Sequence, residues 1–140
     1  MKGPLLLSLL EQGTDESIQA GVDMIQKEWD PTGDSIKVEF SDCYEGGWAR
    51  ANGKRIIICS AARSPEFQEE NSIQVPDYAY DYHVQHLTVV ILHEMGHVLD
   101  RRHKLPPEVA AVSDDKEEVA NAFARFILER SRDTYFSLSK

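Results

Sequence analysis

The stretch HEMGH, residues 93 to 97, sets His93 and His97 four positions apart, with Glu94 directly after the first. On an α-helix, residues four apart lie about 40° from one another around the axis. The two imidazoles then project from one face, one turn apart, and can hold a single metal ion; neutral imidazoles at that spacing suit zinc. Glu94, about 100° round the helix from His93, can reach a metal-bound water without being a ligand itself. A Lewis-acidic metal beside a carboxylate base is the chemistry of hydrolysis. The motif lies in an otherwise apolar run, where two histidines and a carboxylate without partners would cost several kcal/mol. That cost argues for a metal site rather than for stray polar groups.

Two histidines do not complete a zinc site, so a third protein ligand must come from elsewhere, leaving a fourth position open. Glu117 opens the stretch EEVANAFA, with Asn121 one helical turn further on. Glu117 can bind the metal while Asn121 accepts from the outer nitrogen of a ligating histidine. Glu118 is the neighbouring alternative, about 100° away on the same helix. His103 is the other candidate, completing H-E-x-x-H-x-x-D-x-x-H with Asp100 where that longer motif has glycine. The glycine serves to end the helix in a left-handed turn, which aspartate enters less easily. No methionine follows Met95 to form a Met-turn. VLDRRHK holds no glycine to turn the chain back, and its arginines favour continued helix. The reading therefore favours His93, His97 and Glu117 as ligands of one Zn2+ per chain, with Glu94 as the base. Asp100 is a candidate for orienting a histidine.

The surrounding elements must position these groups. Residues 14–31 read as a first helix, with Ile18, Val22, Ile25 and Trp29 at helical spacing, Thr14 as cap and Pro31 as stop. Ile36, Val38 and Phe40 alternate as in a half-buried strand. Asn52-Gly53 between two strand-like runs signals a hairpin. Its second arm, Ile56 to Cys59, is apolar on both faces; the arm 55–60 is either an interior strand or an edge that binds an extended peptide. Residues 63–77 read as a loop before the site, of a length that suits a role in access. Residues 78–103 read as one long, largely buried helix carrying HEMGH. Pro106 and Pro107 end that pattern. Ser113 or Asp114 then caps a last helix packed by Val119, Phe123, Phe126 and Ile127. Tyr78, Tyr80, Tyr82, His83 and His86 stand just ahead of the motif, where one of them could stabilise an oxyanion.

At 140 residues the chain fits one domain, 1–140, with its own core. The formal net charge of −9, without a basic run, argues against nucleic acid as a partner. Cys43 and Cys59 have no metal-ligand spacing and read as free thiols in a reducing compartment. The start MKGPLLLSLLEQG carries an apolar patch shorter than a signal-peptide core, and no run approaches the ~20 residues of a membrane span. These features imply a cytoplasmic protein with no membrane partner; the sequence leaves its oligomeric state open.

HEMGH followed by E-x-x-A-N-x-F-A resembles the gluzincin class of zinc metallopeptidases, and within it the ImmA/IrrE-type metallopeptidase family. The strand GKRIIICS and the approach LTVVILHEMGH are similar to that family as well, so the likeness covers about residues 35 to 130. The Leu-Met-Pro that often follows in the family is replaced by RFILERS, and no helix-turn-helix pattern accompanies it, so the family's link to repressor cleavage does not carry over. The resemblance implies an α+β, zincin-like fold: a small, mainly antiparallel sheet packed by helices, with zinc between the HExxH helix and the C-terminal helix. It implies a zinc metalloendopeptidase acting on a peptide or protein substrate. The alternative is a zinc-binding regulatory or interaction module, such as a phage, toxin or immunity accessory protein, with a silent site.

Overall fold

The computed structural model describes residues 3–41, 49–59 and 86–139. Over these it is a mixture of helix and strand: α1 (Gly3–Gln12), α2 (Asp15–Trp29), β1 (Lys37–Ser41), β2 (Ala49–Ala51), β3 (Arg55–Cys59), α3 (His86–Arg101), α4 (Pro107–Ala110) and α5 (Lys116–Ser139). One cluster of buried apolar side chains runs through them, from Leu6 and Leu10 through Ile18, Ile56 and Ile91 to Phe123.

The N-terminal apolar patch forms α1, and Leu6 and Leu10 are fully buried. Gly13, with φ of +72°, turns the chain into α2 in a backbone conformation that side chains disfavour. Thr14 caps α2 as its sequence promises. Ser17 N donates to Thr14 Oγ1, and Thr14 N donates to Ser17 Oγ, each at 3.0 Å. Thr88 of α3, wholly buried, donates to Glu11 Oε2 at 2.8 Å and ties the end of α1 to the start of α3.

Two glutamines of α2 guide the chain into β1. Gln26 Nε2 donates to the carbonyls of Gly33 and Asp34, and its Oε1 accepts from Ile36 N at 3.0 Å. Gln19 accepts from Val38 N and donates to Ile36 O, both at 2.9 Å.

The strand order is β1-β3-β2. β3 is central rather than an edge, as suits Ile56 and Ile58, both fully buried. The turn at Asn52-Gly53 pairs β2 antiparallel with β3, with Ala51 opposite Ile56. Asn52 Oδ1 accepts from Lys54 N and Arg55 N, so the asparagine opens the turn instead of sitting at its centre. β1 takes the other edge of β3 and runs parallel to it, from Lys37 opposite Arg55 to Ser41 opposite Cys59. The expected mainly antiparallel sheet is therefore corrected: the sheet is mixed, and its longer pairing is parallel. The hairpin already fills one side of β3, leaving β1 the far side.

Cys59, at the buried end of β3, is disulfide-bonded, and no cysteine is free among the described residues. This overturns the free-thiol reading and removes the cysteines as an argument for a reducing compartment. The chain's other cysteine, Cys43, lies outside the described residues. No helix among the described residues is long and apolar enough to cross a membrane.

α3 is buried on most of its surface, with Ile91, Leu92, Met95, Val98 and Leu99 at zero exposure. It stops at Arg101, not at 103. His103 adopts φ of +58°, with Lys104 N donating to Leu99 O and His103 N to Asp100 O. This is a Schellman end made without glycine. Arg102 then reaches across the fold. Its Nε donates to Gly53 O at 2.8 Å, and its Nη1 donates to Asp34 O at 2.7 Å and to Asp30 Oδ2 at 2.9 Å.

Candidate metal centre

The last helix is brought to the HEMGH helix by a missing side chain. A Cβ at Gly96 would lie 2.9 Å from Ala120 Cα and 3.1 Å from Ala120 O. Glycine there, with the small Ala120 opposite, lets the backbones of α3 and α5 meet. Val119, Phe123 and Ile127 bury the same side of α5. Because the helices touch at Gly96 and Ala120, the first turn of α5 arrives beside His93 and His97. That turn is capped by Asp115, whose Oδ1 accepts from Glu117 N at 2.8 Å and Glu118 N at 3.2 Å. The cap is thus neither Ser113 nor Asp114; Ser113 Oγ instead accepts from Asp115 N.

Three ligand atoms converge. Glu117 Oε2 lies 2.9 Å from His93 Nε2 and 2.7 Å from His97 Nε2, and the two Nε2 atoms are 3.1 Å apart. The two rings stand edge to face, their centroids 4.7 Å apart. His93 Nδ1 lies 2.7 Å from Asn121 Oδ1. An amide oxygen only accepts, so the His93 proton sits on Nδ1 and the lone pair of Nε2 faces the other two ligand atoms. Glu117 Oε2 lies within reach of both Nε2 atoms, so the three are held together either by a proton on His97 Nε2 or by a cation between them. A tetrahedral ion with bonds of about 2.0–2.1 Å holds its ligand atoms roughly 3.3 Å apart, so these donors, now 2.7–3.1 Å apart, would open by roughly 0.2–0.6 Å. The residues fit a zinc ion by donor chemistry and by spacing.

His93, His97 and Glu117 form a possible metal-holding group; Glu118 and His103, both exposed, do not join it. The His103 alternative falls for a reason other than the one the sequence offered. The helix does end there, but the turn leaves His103 exposed. Asp100 borders the site without a hydrogen bond to either histidine.

Glu94 stands beside the three, not among them. It is 8% exposed. Burial holds its carboxyl above the ordinary value; His93 pulls it back, the Glu117 carboxylate pushes it further up, and Arg101 opposes. A cleft of about 370 Å³ opens over the site, lined by Ala51, Glu94, His97, Asp100, Arg101, Lys116 and Glu117. Glu117 is the exposed side of the group, with 69% of its side chain accessible against 20% for His93 and 18% for His97. A larger hollow of about 770 Å³ between α2 and β1 contains Asp15, Glu16, Asp23 and Glu39 but no histidine, and lies away from this chemistry.

Tyr78, Tyr80, Tyr82 and His83 lie outside the described residues, as does the loop 63–77; His86 opens α3, but its side chain is also outside them. Sequence reasoning missed Gly96, whose signal was a glycine interrupting an otherwise continuous apolar helix. It also missed the cations Arg101 and Lys116.

In comparisons with family models, curated proteins and solved structures, nothing matches this chain.

Proposed function

We propose that this chain is a zinc-dependent metallopeptidase of the gluzincin type, similar in its motifs to the ImmA/IrrE-type family, that hydrolyses peptide bonds of a peptide or protein substrate. The observation carrying the reading is the convergence of His93 Nε2, His97 Nε2 and Glu117 Oε2 beside the buried Glu94, under an open cleft. A zinc ion, when bound, supplies Lewis acidity to the scissile carbonyl and to the attacking water. His93, His97 and Glu117 hold the ion, and Asn121 keeps the His93 proton on Nδ1 so that Nε2 stays available. Glu94 accepts the proton of the attacking water on its carboxylate and delivers it to the leaving amine. Its raised affinity for a proton suits that exchange better than an ordinary exposed carboxylate would. β2, at the edge of the sheet among the described residues, borders the cleft through Ala51 and offers a main-chain rail for an extended peptide.

The test is Glu94→Gln. This variant keeps its zinc, measured as about one equivalent per chain, and loses ~10²–10⁴-fold in peptide cleavage. Unchanged cleavage would overturn the mechanism. A zinc-loaded wild-type chain that cleaves no member of a diverse peptide library would favour a binding module instead.

A further inference from the structure

We propose that Arg101 and Lys116 form a carboxylate-binding subsite beside the metal, so that the substrate presents a carboxylate within a residue or two of the scissile bond. The inference rests on the peptidase reading for the word substrate, but the subsite itself is testable without catalysis.

Four positions separate His93 from His97 and His97 from Arg101. Arg101 therefore continues the ligand-bearing stripe of α3, one turn or about 6 Å beyond His97. Lys116 immediately precedes Glu117 on α5. Each cation flanks a metal ligand on its own helix, and both line the same cleft.

Arg55, Arg102, Arg125 and Arg130 are in ion pairs with Glu39, Asp30, Glu129 and Glu28. Among the described residues, the Arg101 and Lys116 side chains form no such ion pair, and the charge of Arg101 acts on Glu94 across the cleft. A cation in the last turn of a helix is favoured by the helix dipole, which would account for Arg101. The same dipole disfavours a cation at the first helical position, where Lys116 sits. Helix stability leaves Lys116 unexplained.

The charge balance points the same way. With a divalent ion in place, the cleft holds two positive charges from the ion and one each from Arg101 and Lys116. Against these stand, among the described residues, one each from Glu94, Asp100 and Glu117. The described lining is thus left with one positive charge, on a chain whose formal net charge is −9. An anion is drawn to this place and repelled from most of the remaining surface. Arginine's planar fork matches a carboxylate in two parallel hydrogen bonds.

The experiment compares two zinc-binding probes by calorimetry on the zinc-loaded protein: acetohydroxamate, which is neutral beyond its chelating group, and the monohydroxamate of succinic acid, which adds a carboxylate. The succinic probe should bind at least ~10-fold more tightly, the gain expected for a charged hydrogen bond. The double variant Arg101→Gln/Lys116→Gln should lose that advantage and bind acetohydroxamate as the wild type does. Equal affinity of the two probes, or an advantage that survives in the double variant, overturns the subsite. Binding of neither probe to the zinc-loaded protein overturns the open coordination position and the subsite together. Peptide pairs then identify the carboxylate's source. A preference for Asp over Asn near the cleaved bond assigns it to a side chain, and a preference for a free acid over an amide terminus assigns it to the chain end. Probe selectivity without cleavage of any peptide would keep the subsite and reject the peptidase.

Discussion

His93 Nδ1 donates to Asn121 Oδ1 at 2.7 Å, and this one bond decides which face of the imidazole meets Glu117. Asn121 lies one turn beyond Glu117 on α5, so a single helix supplies both a candidate metal ligand and the group that orients another candidate. Asn121→Ala should weaken zinc binding by roughly 10-fold or more without removing a ligand. Glu117→Ala should lose most of the affinity, and His103→Ala little. Chelator competition on the three variants measures this. Tight binding by Glu117→Ala together with weak binding by His103→Ala would reverse the ligand assignment.

Gly96→Ala adds one carbon where Ala120 Cα would stand only 2.9 Å away. The obstacle is backbone, so α5 must shift. Overpacking of this kind costs about 1–3 kcal/mol. The larger consequence falls on Glu117, which rides on the displaced helix. The variant should fold with a lower melting temperature and bind zinc at least ~10-fold more weakly, since misplaced ligands forfeit coordination geometry. Wild-type zinc affinity in a folded Gly96→Ala protein would mean that the helix contact does not set the site.

Glu94 is held above the ordinary carboxyl value chiefly by burial. The folded, metal-free protein therefore binds the Glu94 proton more tightly than the unfolded chain does. Its stabilising effect is fully present below the unfolded value and is lost as pH rises through the higher folded one. Glu94→Gln has no charge to desolvate, so metal-free Glu94→Gln should be more stable than metal-free wild type at pH 8. The gap should close as pH falls below the ordinary glutamate range. Denaturant unfolding of both proteins across pH tests this, and a gap that widens toward acid would contradict the desolvated carboxyl.

His103 ends α3 at φ of +58°, a conformation that costs a side-chain-bearing residue about 1–2 kcal/mol. His103→Gly should raise stability by about 1 kcal/mol. Zinc content should not change, because His103 is outside the ligand group. A loss of stability would mean that the histidine side chain makes a contact worth more than the strain.

What was legible in the sequence was local. The spacing of HEMGH and of Glu117 to Asn121 fixes faces of helices, and those faces meet as expected. Thr14 caps α2 because capping depends on three neighbouring residues. Much of the remainder was not local. Nothing in KVEFS says which edge of β3 it will join, and the parallel pairing follows only once the hairpin has taken the other edge. The end of α3 was misread because a left-handed residue is expected to be glycine, and here it is histidine. In SDD three adjacent residues can all cap, and it is Asp115 that accepts from Glu117 N and Glu118 N. Two cysteines without a motif spacing carry no signal for pairing, so the disulfide at Cys59 was out of reach.

The Arg102 guanidinium binds the end of α2, the turn before β1 and the tip of the hairpin, none of which belongs to the His93, His97 and Glu117 group. Its partner Asp30 has 4% of its side chain exposed, so removing the arginine would strand a buried charge, typically at 3–5 kcal/mol. Arg102 thus adds to the shared core in holding the wall of the cleft at Ala51 to α3, while the contact of Gly96 with Ala120 gathers His93, His97 and Glu117. The two contacts lie at different points along the chain, Gly96 within α3 and Arg102 just past its end. A lineage could reshape what the cleft admits by altering the hairpin and its mooring while inheriting the metal chemistry intact.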